Sequence, residues 1–501
     1  MNNTGLRAAR LGLLLGATLA LAGQAQAASY GLAQPRLEVV AGADLRAEAG
    51  ELRAQLEGER LPAPNLQAPA GRGSVAVQPM FSSQQGSWPF EPFVNDGLFR
   101  AIAGYQAHHP QALVLSGGSL TLEQLAASVN DPRILRRHKD GYLLSYPLVI
   151  GPGAALLVQG QTLYLYTYSG TAIINQGLLS LEKAGVESWN GDKPQSTDRP
   201  YRPFIMAWAG SRVRVEDSTL RRLGYNANLT RGLTTARSTQ QAATVAPAQV
   251  LVRNSRFEDL SSGLELQAAL ARVEGNRFSA MQQYAVDLRD SRAEVRDNRI
   301  DGVENNSGIR VRGSFAGRLA DNRILRTAKA GIEVNGFSGR LAINHNVLGE
   351  SRGNAIQLRD IASAADTRLL LDGNLIGNSQ GSAIDAAGVA SAYLLDNRIG
   401  GSPEYAISVR NPTRLAGRLV LTGNRLDGIG KALVRVEGVD EVVLGGNSYQ
   451  GNPPLQNILI GDLLPVQSQL LDSTVRNACF VRIATGGSPG AAQPTPDCRG
   501  S

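Results

Sequence analysis

The residues with the clearest capacity for chemistry are arginines and carboxylates that recur at fixed places in short alternating runs. Examples are Leu264-Glu265-Leu266-Gln267, Val286-Asp287-Leu288-Arg289, Ile309-Arg310-Val311-Arg312 and Ile356-Gln357-Leu358-Arg359. In an extended strand successive side chains point to opposite faces, so the apolar members of each run face one way and the polar members the other. Aligned on one another, the runs give a polar column of Gln267, Arg289, Arg312, Asn335, Arg359 and Arg410. A neighbouring column holds Glu265, Asp287, Arg310, Glu333, Gln357, Asp385 and Ser408. Aligned strands lie about 4.8 Å apart, comparable to one sugar of an extended polysaccharide. A guanidinium holds a carboxylate through two parallel hydrogen bonds, so a stripe of Arg suits a polymer with a carboxylate on each sugar. The plainer alternative is that Arg and Asp or Glu solvate this face and pair across adjacent strands. Four Arg in one column favour binding.

Such columns need a repeating scaffold. Asn254, Asn276, Asn298, Asn322, Asn346, Asn374, Asn397, Asn424 and Asn447 recur 22 to 28 residues apart, as in Asn276-Arg277-Phe278 and Asn298-Arg299-Ile300. A period in that range marks a solenoid. A second run follows each Asn at a steady offset, as in Ala285-Val286-Asp287-Leu288, so each repeat holds two or three short strands rather than a helix pair. The framework of a leucine-rich repeat is absent. The expected fold is an all-β parallel β-helix over residues 142–471, with the repeat Asn bonding from coil to coil at the turns. The Asn are thereby structural and carry no chemistry.

The flanks read differently. Residues 1–27 have the form of a secretory signal peptide: Arg7 and Arg10, an apolar run from Leu11 to Ala22, then Ala25-Gln26-Ala27. Export to the periplasm is expected, and no later segment is apolar enough for membrane insertion. Residues 28–94, rich in Ala, Gln, Pro and Gly, read as a linker-like segment, and 95–141 as a small helical cap around Leu122, Leu125, Ala126 and Val129. Residues 472–501 read as a flexible tail in which Cys479 and Cys498 could close a loop in an oxidising compartment. His108, His109, His138 and His345 form no zinc pattern, and calcium nonapeptide repeats are missing, so no metal and no cofactor are expected. A net charge of +7 leans toward an anionic partner. Export and evenly spread Arg argue against nucleic acid.

Two segments outside the repeats are more specific. They are Val114-Leu115-Ser116-Gly117-Gly118 with Leu120-Thr121-Leu122, and Arg202-Pro203-Phe204-Ile205-Met206-Ala207-Trp208-Ala209-Gly210-Ser211 followed by Leu223-Gly224-Tyr225. With them, the chain from about Gln111 to Asn447 resembles the periplasmic mannuronan C5-epimerases of bacterial alginate biosynthesis. The resemblance implies a right-handed β-helix, a polymannuronate-like acidic polysaccharide as partner, and envelope exopolysaccharide export proteins as neighbours. Inverting C5 of a uronate requires a neutralised carboxylate, a base for the C5 proton and an acid on the opposite face. The family motif is Asp-Pro-His-Asp, with His as base and an Arg about one coil later as the neutralising group. Here the matching segment is Asp287-Leu288-Arg289-Asp290, preceded by Tyr284; Gly313 falls at the Arg position, with Arg312 one residue earlier.

The departure falls on the chemistry, and three readings stay open. In the first, catalysis persists: Arg289 or Tyr284 transfers the proton beside Asp287 and Asp290, while Arg310 or Arg312 neutralises the carboxylate, in a C5-epimerase or, as second choice, a lyase. In the second, the protein is an inactive binder or secretion-complex scaffold in which Arg289, Arg310, Arg312, Asn335, Arg359 and Arg410 hold an acidic chain. In the third, another acidic exopolysaccharide is handled by rearranged residues. Tyr225 is expected to stack on a sugar ring, Trp208 to do so or to lie in the core, and His345 to occupy a turn.

Overall fold

In a computed structural model of the protein, the alternating runs form strands that stack in parallel into a right-handed β-helix with three faces. The structure describes residues 35–486 apart from 59–60, 82–85, 95–97, 108, 192–200, 362, 365, 429 and 451–457. The expected signal peptide, His108 and Cys498 lie outside the described residues.

The first face holds Ile173–Asn175, Ile205–Trp208, Leu233–Ala236, Leu264–Gln267 and the leading halves of Val286–Arg296, Ile309–Ala320 and Ile332–Asn344. The trailing halves of the long strands form the second face. A separate 14-stranded sheet, from Leu135–His138 to Ser448–Gln450, forms the third. Pairing joins Glu265 to Asp287, Asp287 to Arg310 and Arg310 to Glu333. In the next outward column it joins Gln267 to Arg289, Arg289 to Arg312, Arg312 to Asn335 and Asn335 to Arg359. The polar columns read from the sequence are therefore spatial neighbours. Between them Leu266, Leu288, Val311, Val334 and Leu358 point inward into one continuous core.

The repeat Asn lock the coils. From Asn276 to Asn424 each backbone N–H donates to the side-chain oxygen of the next Asn at 2.9–3.1 Å. Each side-chain N–H also donates to a carbonyl of the preceding coil, as Asn298 does to Val273 at 2.9 Å. The turn before the Asn needs a left-handed residue, supplied by Gly275, Asp297, Asp321 and His345. His345, with φ 55°, is thus a turn residue.

The flanks correct three expectations. The described residues from 35 to 94 are no loose linker: Arg36–Val40 pairs antiparallel with Phe480–Ala484, and Ser74–Pro79 pairs with Gln111–Ser116. Between them the helix Gly42–Gly58 lays Leu45, Ala49, Leu52 and Leu56, one helical stripe, on the outward apolar residues Leu370, Leu395, Val420 and Val443 of the second face. Arg53 fixes it with two hydrogen bonds to Asp372 at 2.6 and 2.7 Å. The β-helix also begins before residue 142, because Gln111–Ser116 already pairs in parallel with Leu148–Ile150, and its last first-face strand is Leu459–Gly461. As far as residue 486 the tail is tethered: Phe480–Ala484 pairs with Ala432–Gly445, and Cys479 is buried and disulfide-bonded. Helices Leu98–Gln106 and Leu122–Val129 occupy the cap. Among the described residues no helix is long and apolar enough to cross a membrane.

Candidate functional site

The first face changes character along its length. Its outward column runs Val149, Ile174, Met206, Thr234, Glu265, Asp287, Arg310. The apolar members are covered by Met80, Phe90, Phe93 and Ile102. At Thr234 and Glu265 the column turns polar, and a cleft of about 210 Å³ opens, lined among others by Arg231, Glu265, Gln267, Asp287, Arg289 and Arg312. The folded-back segment that shields the upper coils thus leaves the charged coils open.

Asp287 organises the cleft. Its side chain is 1 % exposed and accepts from Arg310 Nε at 2.9 Å, from a terminal nitrogen of Arg310 at 2.7 Å and from a terminal nitrogen of Arg312 at 2.9 Å. A buried carboxylate needs such partners, because an unpaired buried charge costs several kcal/mol. The Arg310 guanidinium also lies 3.9 Å from the centre of the Tyr284 ring, a cation–π contact. Burial pulls the Arg310 guanidinium down, but the Asp287 carboxylate outweighs it and the net shift is upward. Arg310 therefore gives two of its nitrogens to Asp287. Arg312 gives one nitrogen to Asp287, while its buried Nε has no acceptor.

Glu265 and Arg231 were missed as site residues. Glu265 lies one coil from Asp287 in the same column; its Oε1 accepts from Arg231 at 3.2 Å, and its buried Oε2 has no partner. Burial pushes its carboxyl above the usual range, against the pull of Arg231 and with a further push from Asp287. The signal for Glu265 was its place in the column. Arg231 lies in an irregular stretch before the repeats begin, where no period could point to it.

The remaining candidates separate. Arg289 is 49 % exposed, with Nε 3.4 Å from Asp290. A base role for Arg demands deep burial among cations, and a half-exposed guanidinium lacks the burial. Asp290 takes φ 48° at the corner between the first and second faces and accepts the Ser314 N–H at 3.0 Å. It builds the turn. Tyr284 is buried, and burial pushes its phenol up to about 12, so the ring serves as a support for Arg310 and makes a poor base at neutral pH. Tyr225 is buried 5.4 Å from Tyr201 and 6.4 Å from Phe204 between ring centres, which removes it from sugar stacking. Trp208 is core, its Nε1–H donating to Pro89 O at 3.0 Å. Arg359 is ion-paired with Asp385. Asn335 and Arg410 are exposed on the first face, further along the solenoid.

Residues 238–399 match the family model described as right handed beta helix region. The chain is 26% identical over 261 residues to the mannuronan C5-epimerase of Pseudomonas aeruginosa, covering 49% of this chain and 47% of that one. It is 24% identical over 228 residues to the mannuronan C5-epimerase AlgG of Azotobacter vinelandii, covering 43% of each. The match spans about half the length of these curated relatives, or less. The fold is similar to the crystal structure of the periplasmic alginate epimerase AlgG, with TM-score 0.67 and 18% identity over 78% of this chain and 99% of that one. The chain is thus similar in sequence to mannuronan C5-epimerases and shares the right-handed β-helix of the periplasmic alginate epimerase.

Proposed function

We propose that the protein binds an alginate-like polyuronate along its first face in the periplasm and acts on it as a C5-epimerase at the cleft between Glu265 and Arg312. The observation that carries this reading is the pair of unsatisfied groups there: the buried Arg312 Nε without an acceptor, and the buried Glu265 Oε2 without a donor. A uronate carboxylate reaching Arg312, with the half-exposed Arg289 alongside, would receive charge-assisted hydrogen bonds. Neutralising that carboxylate makes the C5 proton acidic. Glu265, its carboxyl raised by burial, is then the group suited to take or return the proton, the task that Arg289 cannot inherit from the family His.

The test is proton NMR of polymannuronate incubated with the mature protein in heavy water. Guluronate signals and deuterium at C5, lost in Glu265→Gln, are the expected result. The presence of Arg289 at the family His position favours a second reading, a non-catalytic binder. Salt-sensitive binding with no exchange would select that reading, and neither binding nor exchange would sink both.

A further inference from the structure

The Asn ladder has a companion on the third face. Arg256, Arg277, Arg299 and Arg323 follow Ser255, Asn276, Asn298 and Asn322 and pair in register through four consecutive coils. All four are exposed. The preceding residues are pinned to one another, the Ser255 N–H on Asn276 Oδ1 at 2.8 Å and the Asn276 and Asn298 N–H groups on the next Asn at 2.9 and 3.1 Å. The four guanidinium stems are therefore held at one coil pitch over roughly 14 Å.

Like charges on directly opposite strand positions repel, and parts of the second face relieve this with an opposite charge on the neighbouring coil. On the second face Arg272 and Arg318 flank Glu294 at 3.8 and 3.3 Å, and Arg296 meets Glu274 at 3.2 Å, each pairing across neighbouring coils. On the third face, among the described residues, Arg256, Arg277 and Arg323 have no ion-pair partner, and Arg299 only approaches Asp301 at 3.9 Å. The nearby carboxylates are taken by other residues, Glu258 by Arg221 at 2.7 Å and Asp301 by Arg326.

We propose that this arginine ladder is a second binding track for a linear polyuronate, separate from the first-face cleft. Its spacing suits a chain that presents one carboxylate per sugar, and it would hold a long polymer while another stretch of the same or a different chain lies in the cleft. The identity of the sugar rests on the proposed function; the polyanionic character rests on the ladder alone. Two sites on one polymer raise its apparent affinity without any new contact at the cleft, and the gain vanishes for chains too short to reach both.

The test compares wild type with the fourfold variant Arg256→Gln, Arg277→Gln, Arg299→Gln and Arg323→Gln, and with the corresponding fourfold Arg→Lys variant, using long polymannuronate, tetramannuronate and long polygalacturonate at low and physiological salt. The Gln variant is expected to bind a long chain at least about tenfold more weakly, to bind the tetramer as wild type does, and to melt no lower than wild type because repulsion is relieved. The Lys variant keeps the charge and should retain most of the long-chain affinity. If polymannuronate is not bound but polygalacturonate binds in a ladder-dependent way, the track stands and the choice of sugar fails. Equal binding of long chains by the Gln variant and wild type overturns the track, as does a loss shared equally by tetramer and long chain.

Discussion

Replacing Asp287 with Ala probes the cleft most sharply, because the change removes one carboxylate and strands two guanidinia. Three charge-assisted hydrogen bonds of 2.7–2.9 Å disappear. Removing one partner of a fully buried ion pair costs about 3–5 kcal/mol. Here Arg310 and Arg312 keep 16 % and 31 % side-chain exposure, so water recovers part of the loss and about 2–4 kcal/mol remains. In a solenoid each coil contacts only its neighbours, so the effect is local and best read by hydrogen exchange rather than by global melting. Backbone amides in Val286–Arg296 and Ile309–Ala320 should exchange roughly 30- to 1000-fold faster, the factor that 2–4 kcal/mol implies. Asp287→Asn, which keeps the shape and loses the charge, should fall between. Protection within about threefold of wild type in the Ala variant would show that Asp287 does not clamp the two arginines.

Three further changes test other parts of the account. Asn322→Ala deletes four side-chain hydrogen bonds, with Asn298 N and Nδ2, Val295 O and Asn346 Oδ1, and should cost roughly 3–5 kcal/mol at about 1 kcal/mol each, measured by denaturation or local exchange. Because the Glu265 carboxyl is raised in the folded state, the native protein holds that proton longer, so stability falls as pH rises from about 4 through the raised value. Glu265→Gln should flatten this slope in melting curves taken across that range, and an unchanged slope would contradict the burial argument. At Gly313, φ is +72° and an added Cβ would sit 2.2 Å from Asp290 Oδ1, so Gly313→Ala should destabilise by about 1–2 kcal/mol, and a simultaneous Asp290→Ala should recover the steric part.

The solenoid and the membership of its polar columns were legible because two local signals agreed: the Asn period set the coil length, and the two-residue alternation decided which side chains point out. What the columns could not reveal was commitment. Arg310 and Arg312 looked equivalent, yet the register sets Arg310 beside Asp287, which takes two of its nitrogens, while Arg312 keeps a free Nε. Asp290 looked like a motif carboxylate and proved to be a corner residue, a distinction that depends on φ rather than on residue type. The N-terminal segment was misread because its partners are remote in sequence, Arg53 and Asp372 being 319 residues apart, and an Ala-rich amphipathic stretch says nothing by itself about what it will cover. That segment and the apolar residues after it decide where the first face is shielded and where it is open, so the edge of the cleft could not be placed from the repeats alone. Tyr225 was lost to the same cause, since the rings that bury it include Tyr201, far from any repeat period.

The most direct test of the central claim is calorimetric titration of tetramannuronate into the mature protein and into Arg312→Gln at low salt. If the first-face cleft neutralises a uronate carboxylate, wild type binds, affinity falls as salt rises, and the variant loses about 1.5–3 kcal/mol, at least tenfold in affinity. Binding by the variant indistinguishable from wild type would mean that the acidic chain, if held at all, is not held there.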